Sequence, residues 1–157
     1  MPELRPYRRI LALIDFDERD GATAEKALML ARLNRAELDF LHLIEPDGAL
    51  DGGYPGGSSR ADARELENAA LRRMNFLAAR IGAGEARCHA VYGPLRQGML
   101  RHVRDWQPDL VVAGERHAHL GGRYDVLILS SPGRTGGGKW LANLLGALGS
   151  RFRTIGV

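Results

Sequence analysis

The chain alternates short apolar runs with amphipathic stretches. Residues 10–14, Ile-Leu-Ala-Leu-Ile, form an unbroken apolar run, the pattern of a strand covered on both faces in a parallel sheet. Ala24, Ala27, Leu28 and Ala31 then recur at helical spacing, with Asp20 placed to cap that helix. Residues 38–44 read as a second strand ending at Glu45-Pro46, and the glycine-rich residues 47–57 read as a loop. Ser59-Arg-Ala-Asp62 resembles a capping box. The helix it opens has Leu66, Ala70, Met74, Leu77 and Ile81 as its apolar stripe, and Gly82 and Gly84 end it. Residues 86–92 read as a third strand. Gly93-Pro94 opens the next helix with proline at its first position, and Leu95, Met99, Val103 and Trp106 share one face. Pro108 breaks that helix, and residues 109–113 form a fourth strand.

This βαβαβαβ order predicts an α/β fold, Rossmann-like: one domain over residues 1–157 with a doubly wound parallel five-stranded sheet and helices on both faces. Residues 10–14 and 109–113 are expected at its centre. The last third is less regular. Residues 124–129 look like a strand but follow the fourth too closely for a full crossover helix. They form either a hairpin or an additional parallel strand. A helix from about residue 140 to 148 and a short strand at 154–157 are expected beyond them.

Composition narrows the class. With 45% hydrophobic and 26% charged residues, the chain is an ordinary globular protein. No apolar run approaches the roughly 20 residues of a membrane span, and the run after Arg9 is too short for a signal-peptide core. The single cysteine, Cys88, excludes an internal disulfide and a cysteine metal cluster, which suits a reducing cytoplasm. The net charge of +3 comes from arginines spread along the chain, and only 6% of residues are aromatic. No basic patch or stacking platform emerges, so no nucleic-acid partner is expected.

Candidate chemistry gathers at strand ends. Asp15 follows the first strand, where open parallel sheets bind ligands. Its carboxylate suits an adenine amino group or a ribose hydroxyl; equally, Asp15, Asp17 and Asp20 suit helix capping. Residues 130–139 are rich in glycine, with Arg134 and Lys139 among them. Such a loop either cradles phosphate with its backbone N–H groups or is a plain surface loop. Residues 133–139 fit the phosphate-loop pattern through Lys139, but Trp140 stands where a hydroxyl would hold magnesium. A phosphate-loop NTPase is therefore not expected. His117-Ala-His119 offers two metal ligands without a third and reads as a solvated loop. His42 and His89 fall inside strands and read as packed or hydrogen-bonded structural residues, and Cys88 as a buried inert thiol. No nucleophile elbow or serine–histidine–acid arrangement supports hydrolase chemistry.

Residues 10–17, 24–31, 38–46, 91–94 and 108–114 together resemble the universal stress protein family, over nearly the whole chain. The resemblance implies an adenine nucleotide alpha hydrolase-like fold, ATP or AMP as ligand, the base near Asp15 and Leu43, and a homodimer paired through the last strand. ATP-binding members carry glycine, two residues, glycine, nine residues, then glycine with serine or threonine. Gly133-Arg-Thr-Gly136 and Gly146-Ala147 have that spacing but end in alanine. In an alternative register Ser130-Ser-Pro-Gly133 takes the turn and Asn143-Leu144 the close, while Gly114-Glu-Arg-His117 lacks the second glycine. The implied nucleotide-binding set is Asp15, Leu43, Gly114, Ser130, Gly133, Gly136, Lys139 and Gly146, with no catalytic or metal-binding residue and at most slow ATP hydrolysis. The alternative is a family member without nucleotide that works as a dimeric interaction module. A ligase or electron-transfer flavoprotein subunit on a related fold would need further domains or partners.

Overall fold

The computed structural model describes residues 5–17, 19–45 and 60–130. Its elements run β1 (Arg9–Leu13), α1 (Asp20–Asn34), β2 (Glu37–Ile44), α2 (Arg60–Ile81), β3 (Arg87–Tyr92), α3 (Leu95–Trp106), β4 (Leu110–Gly114), a single 3-10 turn (Glu115–His117) and β5 (Asp125–Leu129). All strand pairs are parallel, in the order β3-β2-β1-β4-β5. The loop at 47–57, the Ser59 capping box, Gly133, Gly136, Lys139, Gly146, the helix at 140–148 and the strand at 154–157 lie outside the described residues.

β1 is central because its side chains have nowhere polar to go. Ile10, Leu11, Ala12, Leu13 and Ile14 are all at most 2% exposed. Alternation sends Ile10, Ala12 and Ile14 to one face, with α1, α2 and Phe40, and Leu11 and Leu13 to the other, with Leu41, Met99 and Val111. At the entry of β1, the backbone N–H groups of Arg8 and Arg9 donate to one carboxylate oxygen of Asp109, at 2.7 and 2.9 Å. Asp109 thus ties the entry of β1 to that of β4.

The segment at 124–129 is an additional parallel strand, not half of a hairpin: Leu110 pairs with Asp125 and Gly114 with Leu129. The chain returns from the carboxyl end of β4 to the amino end of β5 through residues 115–124, which hold only the 3-10 turn. A five-residue strand is roughly 17 Å long. Ten residues cover that distance in extended form, so no helix is needed.

Three local expectations need correction. Asp20 does not cap α1: no side-chain cap is made there, and its Oδ1 instead accepts the backbone N–H of Asp15 at 2.9 Å. Leu66 lies outside the buried stripe of α2, at 47% exposure, while Ala70, Met74 and Leu77 are buried. Pro94 sits one position earlier than expected, as the residue before the first turn of α3. Of the two glycines at the end of α2, only Gly82 takes positive φ, at 76°, and there the N–H of Ala83 reaches the carbonyl of Ala78.

Candidate functional site

The connection reverses direction between β1 and β4: β1 leads outward to β2 and β3, and β4 to β5. That is the switch point of an open parallel sheet, where the strand ends leave a crevice. Asp15 stands at its lip, with its side chain 13% exposed. Across the crevice, a Cβ built on Gly114 would lie 4.0 Å from Asp15 Oδ2. Glycine at this position therefore leaves that oxygen uncovered from the β4 side.

The loop carrying Asp15 is braced by contacts of its neighbour Phe16. Phe16 has φ of 60°, in the left-handed region that costs a bulky residue energy and persists only where neighbours enforce it. Here its ring lies 4.1 Å from the His42 ring on one contact and 4.3 Å beneath the Arg73 guanidinium on another. His42 Nδ1–H donates to the Ile14 carbonyl at 2.6 Å. Burial pulls the His42 pKa below its usual value, so the ring stays neutral and serves as a strut. A cavity of about 220 Å³ lies beside this strut, between Phe16, His42 and Arg73 of α2.

His117 overturns the expectation of a solvated loop. It is 2% exposed, and its Nε2–H donates to Asp15 Oδ1 at 2.8 Å, while His119 is exposed. The 3-10 turn after β4 folds the ring inward, where its Nδ1 has no hydrogen-bond partner among the described residues. Arg116 Nη1 lies 3.8 Å from the same Asp15 oxygen. Sequence reasoning could not pair residues 15 and 117 across 102 positions. The available signal was the histidine standing where the nucleotide pattern has its second glycine.

Leu43 lies half-buried near the carboxyl end of β2, beside Val91 of β3. Its Cδ2 would be 2.9 Å from a Cβ on Gly98, so that glycine permits α3 to lie close over β2. Ser130 is exposed just beyond β5. Asp15, Gly114, Leu43 and Ser130 all fall at or beside the carboxyl edge. A cavity of about 850 Å³ opens at the opposite edge, lined by Arg9, Glu37, Gln107, Asp109 and Tyr124. Volume alone does not make that the site, since parallel sheets present their converging loop N–H groups at the carboxyl edge.

A second polar cluster lies under α3. The Asp39 carboxylate of β2, only 1% exposed, accepts Arg87 Nε–H at 2.9 Å and His89 Nε2–H at 3.0 Å, both from β3. His102 Nε2 of α3 lies 3.5 Å from it. Burial opposes ionisation of Asp39, but His102, His89 and Arg87 outweigh it and hold the carboxyl well below the usual carboxylate range. His89 is thus a hydrogen-bonded strand residue, as expected, whereas the part of His102 was not foreseen. Cys88 points to the opposite face, where it packs half-buried against the core, and burial raises its thiol pKa.

The parallel sheet, its switch point and the loop at Asp15 define a Rossmann-like α/β domain. A family model described as the universal stress protein family matches residues 6–132, and the chain belongs to that family. Universal stress protein A homolog 1 of Coxiella burnetii is 27% identical over 116 residues, which cover 73% of this chain and 80% of that protein. Among solved structures, the universal stress protein from Archaeoglobus fulgidus in complex with dAMP aligns with a TM-score of 0.57 at 17% identity, covering 78% of this chain and 98% of that one. A universal stress protein in complex with cAMP aligns with a TM-score of 0.54 at 18% identity, covering 79% and 97%. No helix among the described residues is long and apolar enough to cross a membrane.

Proposed function

We propose that this chain is a regulatory domain that binds an adenine nucleotide, ATP or AMP, at the carboxyl edge of the sheet. The observation that carries this reading is Asp15: a braced carboxylate at the switch point with Oδ2 facing a glycine. The dAMP and cAMP complexes of structural relatives support the ligand class. In this reading the base lies near Asp15 and Leu43, Gly114 opens the crevice, and Ser130, Gly133, Gly136, Lys139 and Gly146 belong to the phosphate side. Hydrolysis would be slow, because the glycine-rich loop offers no general base and Trp140 follows Lys139 where a hydroxyl would hold magnesium. A cytoplasmic homodimer fits the same reading.

One observation favours the alternative, an interaction module without nucleotide. His117 already occupies Asp15 Oδ1, so a ligand using that oxygen must displace a buried hydrogen bond. Calorimetry with ATP and AMP separates the two, on wild type and on His117→Gly, Gly136→Val and Lys139→Glu, with folding checked by circular dichroism. Nucleotide binding is expected in wild type, tighter in His117→Gly and weaker in the other two variants. Wild-type affinity kept by both Gly136→Val and Lys139→Glu would put the phosphates elsewhere. Absence of binding in wild type and in His117→Gly alike would make the interaction module the correct reading.

A further inference from the structure

We propose that Asp39, His89 and His102 form a binding site for a divalent transition-metal ion, with Zn2+ the fitting member of the class. Two imidazoles and one carboxylate from three elements converge, and their donor atoms all lie within 4.8 Å of one another. Donors bound to a tetrahedral ion at about 2.0–2.2 Å stand roughly 3.3–3.6 Å apart. The two histidine nitrogens are already 3.0 and 3.5 Å from Asp39 Oδ2. With all donors within 4.8 Å, the widest pair must close by about an ångström around an ion, and the more exposed ring, His89, has room to move.

The backbone builds this convergence. Asp39 and His89 share one face of adjacent strands, because Asp39 pairs with Arg87 and Leu41 with His89. His102 hangs from the inward stripe of α3, three residues after the buried Met99 and four before Trp106. The Trp106 ring lies 5.9 Å from it, limiting its rotation. His102 Nε2 is buried and, among the described residues, has only Asp39 Oδ2 in reach, at 3.5 Å, a long and weak contact. A buried polar atom in that state is costly, and a ligand bond would satisfy it.

Arg87 is the evident objection, since a guanidinium beside a cation site repels the cation. It bonds Oδ1, however, and leaves Oδ2 to the histidines. Its other arm reaches Glu37 at 2.9 Å, so two carboxylates face one guanidinium and the formal local charge is −1. Arg87 then acts as an outer partner that orients the carboxylate, as hydrogen-bonded neighbours of metal ligands generally do. His89 is 39% exposed, which gives an ion a path from solvent and room for a water as fourth ligand. The site lies on the amino half of β2, whose Asp39 pairs with Leu11, about 13 Å along β1 from Asp15. It is independent of nucleotide.

The test is calorimetric titration of the full chain with Zn2+, paralleled by Co2+, whose visible bands report coordination number and nitrogen ligation. His89→Gln and His102→Gln are the test variants, and His119→Gln and Cys88→Ser the controls. One Zn2+ per chain is expected, weakened more than about tenfold in either test variant, a loss that even outer partners can cause. Neither control should change it. If a test variant unfolds, imidazole nitrogen NMR of the wild type reads the same point, since Zn2+ must shift the His89 and His102 signals and spare His42. Absence of micromolar binding, binding undiminished in both test variants, or binding lost in His119→Gln would overturn the site.

Discussion

Phe40 and Asp39 are chain neighbours in β2, both almost wholly buried, and they face opposite worlds. Phe40 enters the face covered by α1 and α2, where Ile10, Ile14, Ala24, Leu28, Met74 and Leu77 pack together. Asp39 enters the face covered by α3, where the apolar cluster is smaller and a carboxylate, two histidines and an arginine sit beside Leu41 and Met99. The first face holds the domain together by exclusion of water. The second gives up part of that to keep polar groups in fixed positions, a pattern natural sequences show mainly where a site is built.

The largest expected effect breaks the dry face. Phe40→Ala removes a fully buried ring from between α1, α2 and the sheet, and should lower stability by about 3–5 kcal/mol in denaturant unfolding. Asp39→Asn on the polar face should cost less, about 1–3 kcal/mol, because the amide keeps the shape and loses the charge that Arg87 and His89 answer. Equal losses from both would mean that the α3 face depends on its ion pair as heavily as the other face depends on packing, and the contrast between them would fail.

The apolar face was largely legible in the sequence, and the polar one was not. Residues 10–14, 38–44 and 109–113 announce themselves as buried strands because each is a local run, and the stripe of α2 follows helical spacing over its last turns. Asp39 sits inside such a run, and nothing beside it in sequence reveals why a carboxylate is tolerated there. Its partners lie 50 and 63 positions away, at His89 and His102, brought together only by strand register and the tilt of α3. Asp15 was legible as a strand-end carboxylate, but its tie to His117 depends on the turn after β4, a segment that reads as a polar loop. Local patterns determine elements. Long-range polar pairs require the folded sheet.

The smallest effect sharpens the contrast, because the apolar face also holds one carboxylate. Asp20 projects from the buried side of α1, four residues before Ala24, and is 9% exposed. Among the described residues it has no cationic partner to match Arg87. Burial pushes its pKa up to about 6, helped by the charges of Asp17 and Asp15, while the backbone N–H groups of Asp15 and Phe16 hold it down. In the unfolded chain the same group returns to about 3.8. Between those values the folded state binds the proton more readily, so wild type gains stability from Asp20 as pH falls from about 6 towards 3.8. Above about 6 the buried charge detracts from stability. Asp20→Asn keeps an oxygen that can accept the Asp15 N–H and removes the titration. The variant should therefore melt higher than wild type at pH 8, and its advantage should shrink through pH 6 and be least near pH 4. Thermal unfolding of the two proteins across that range measures the difference, with every other carboxylate common to both. An advantage that grows on acidification would mean that Asp20 is stabilised as an anion, as Asp39 is, and that the two faces treat a buried carboxylate alike.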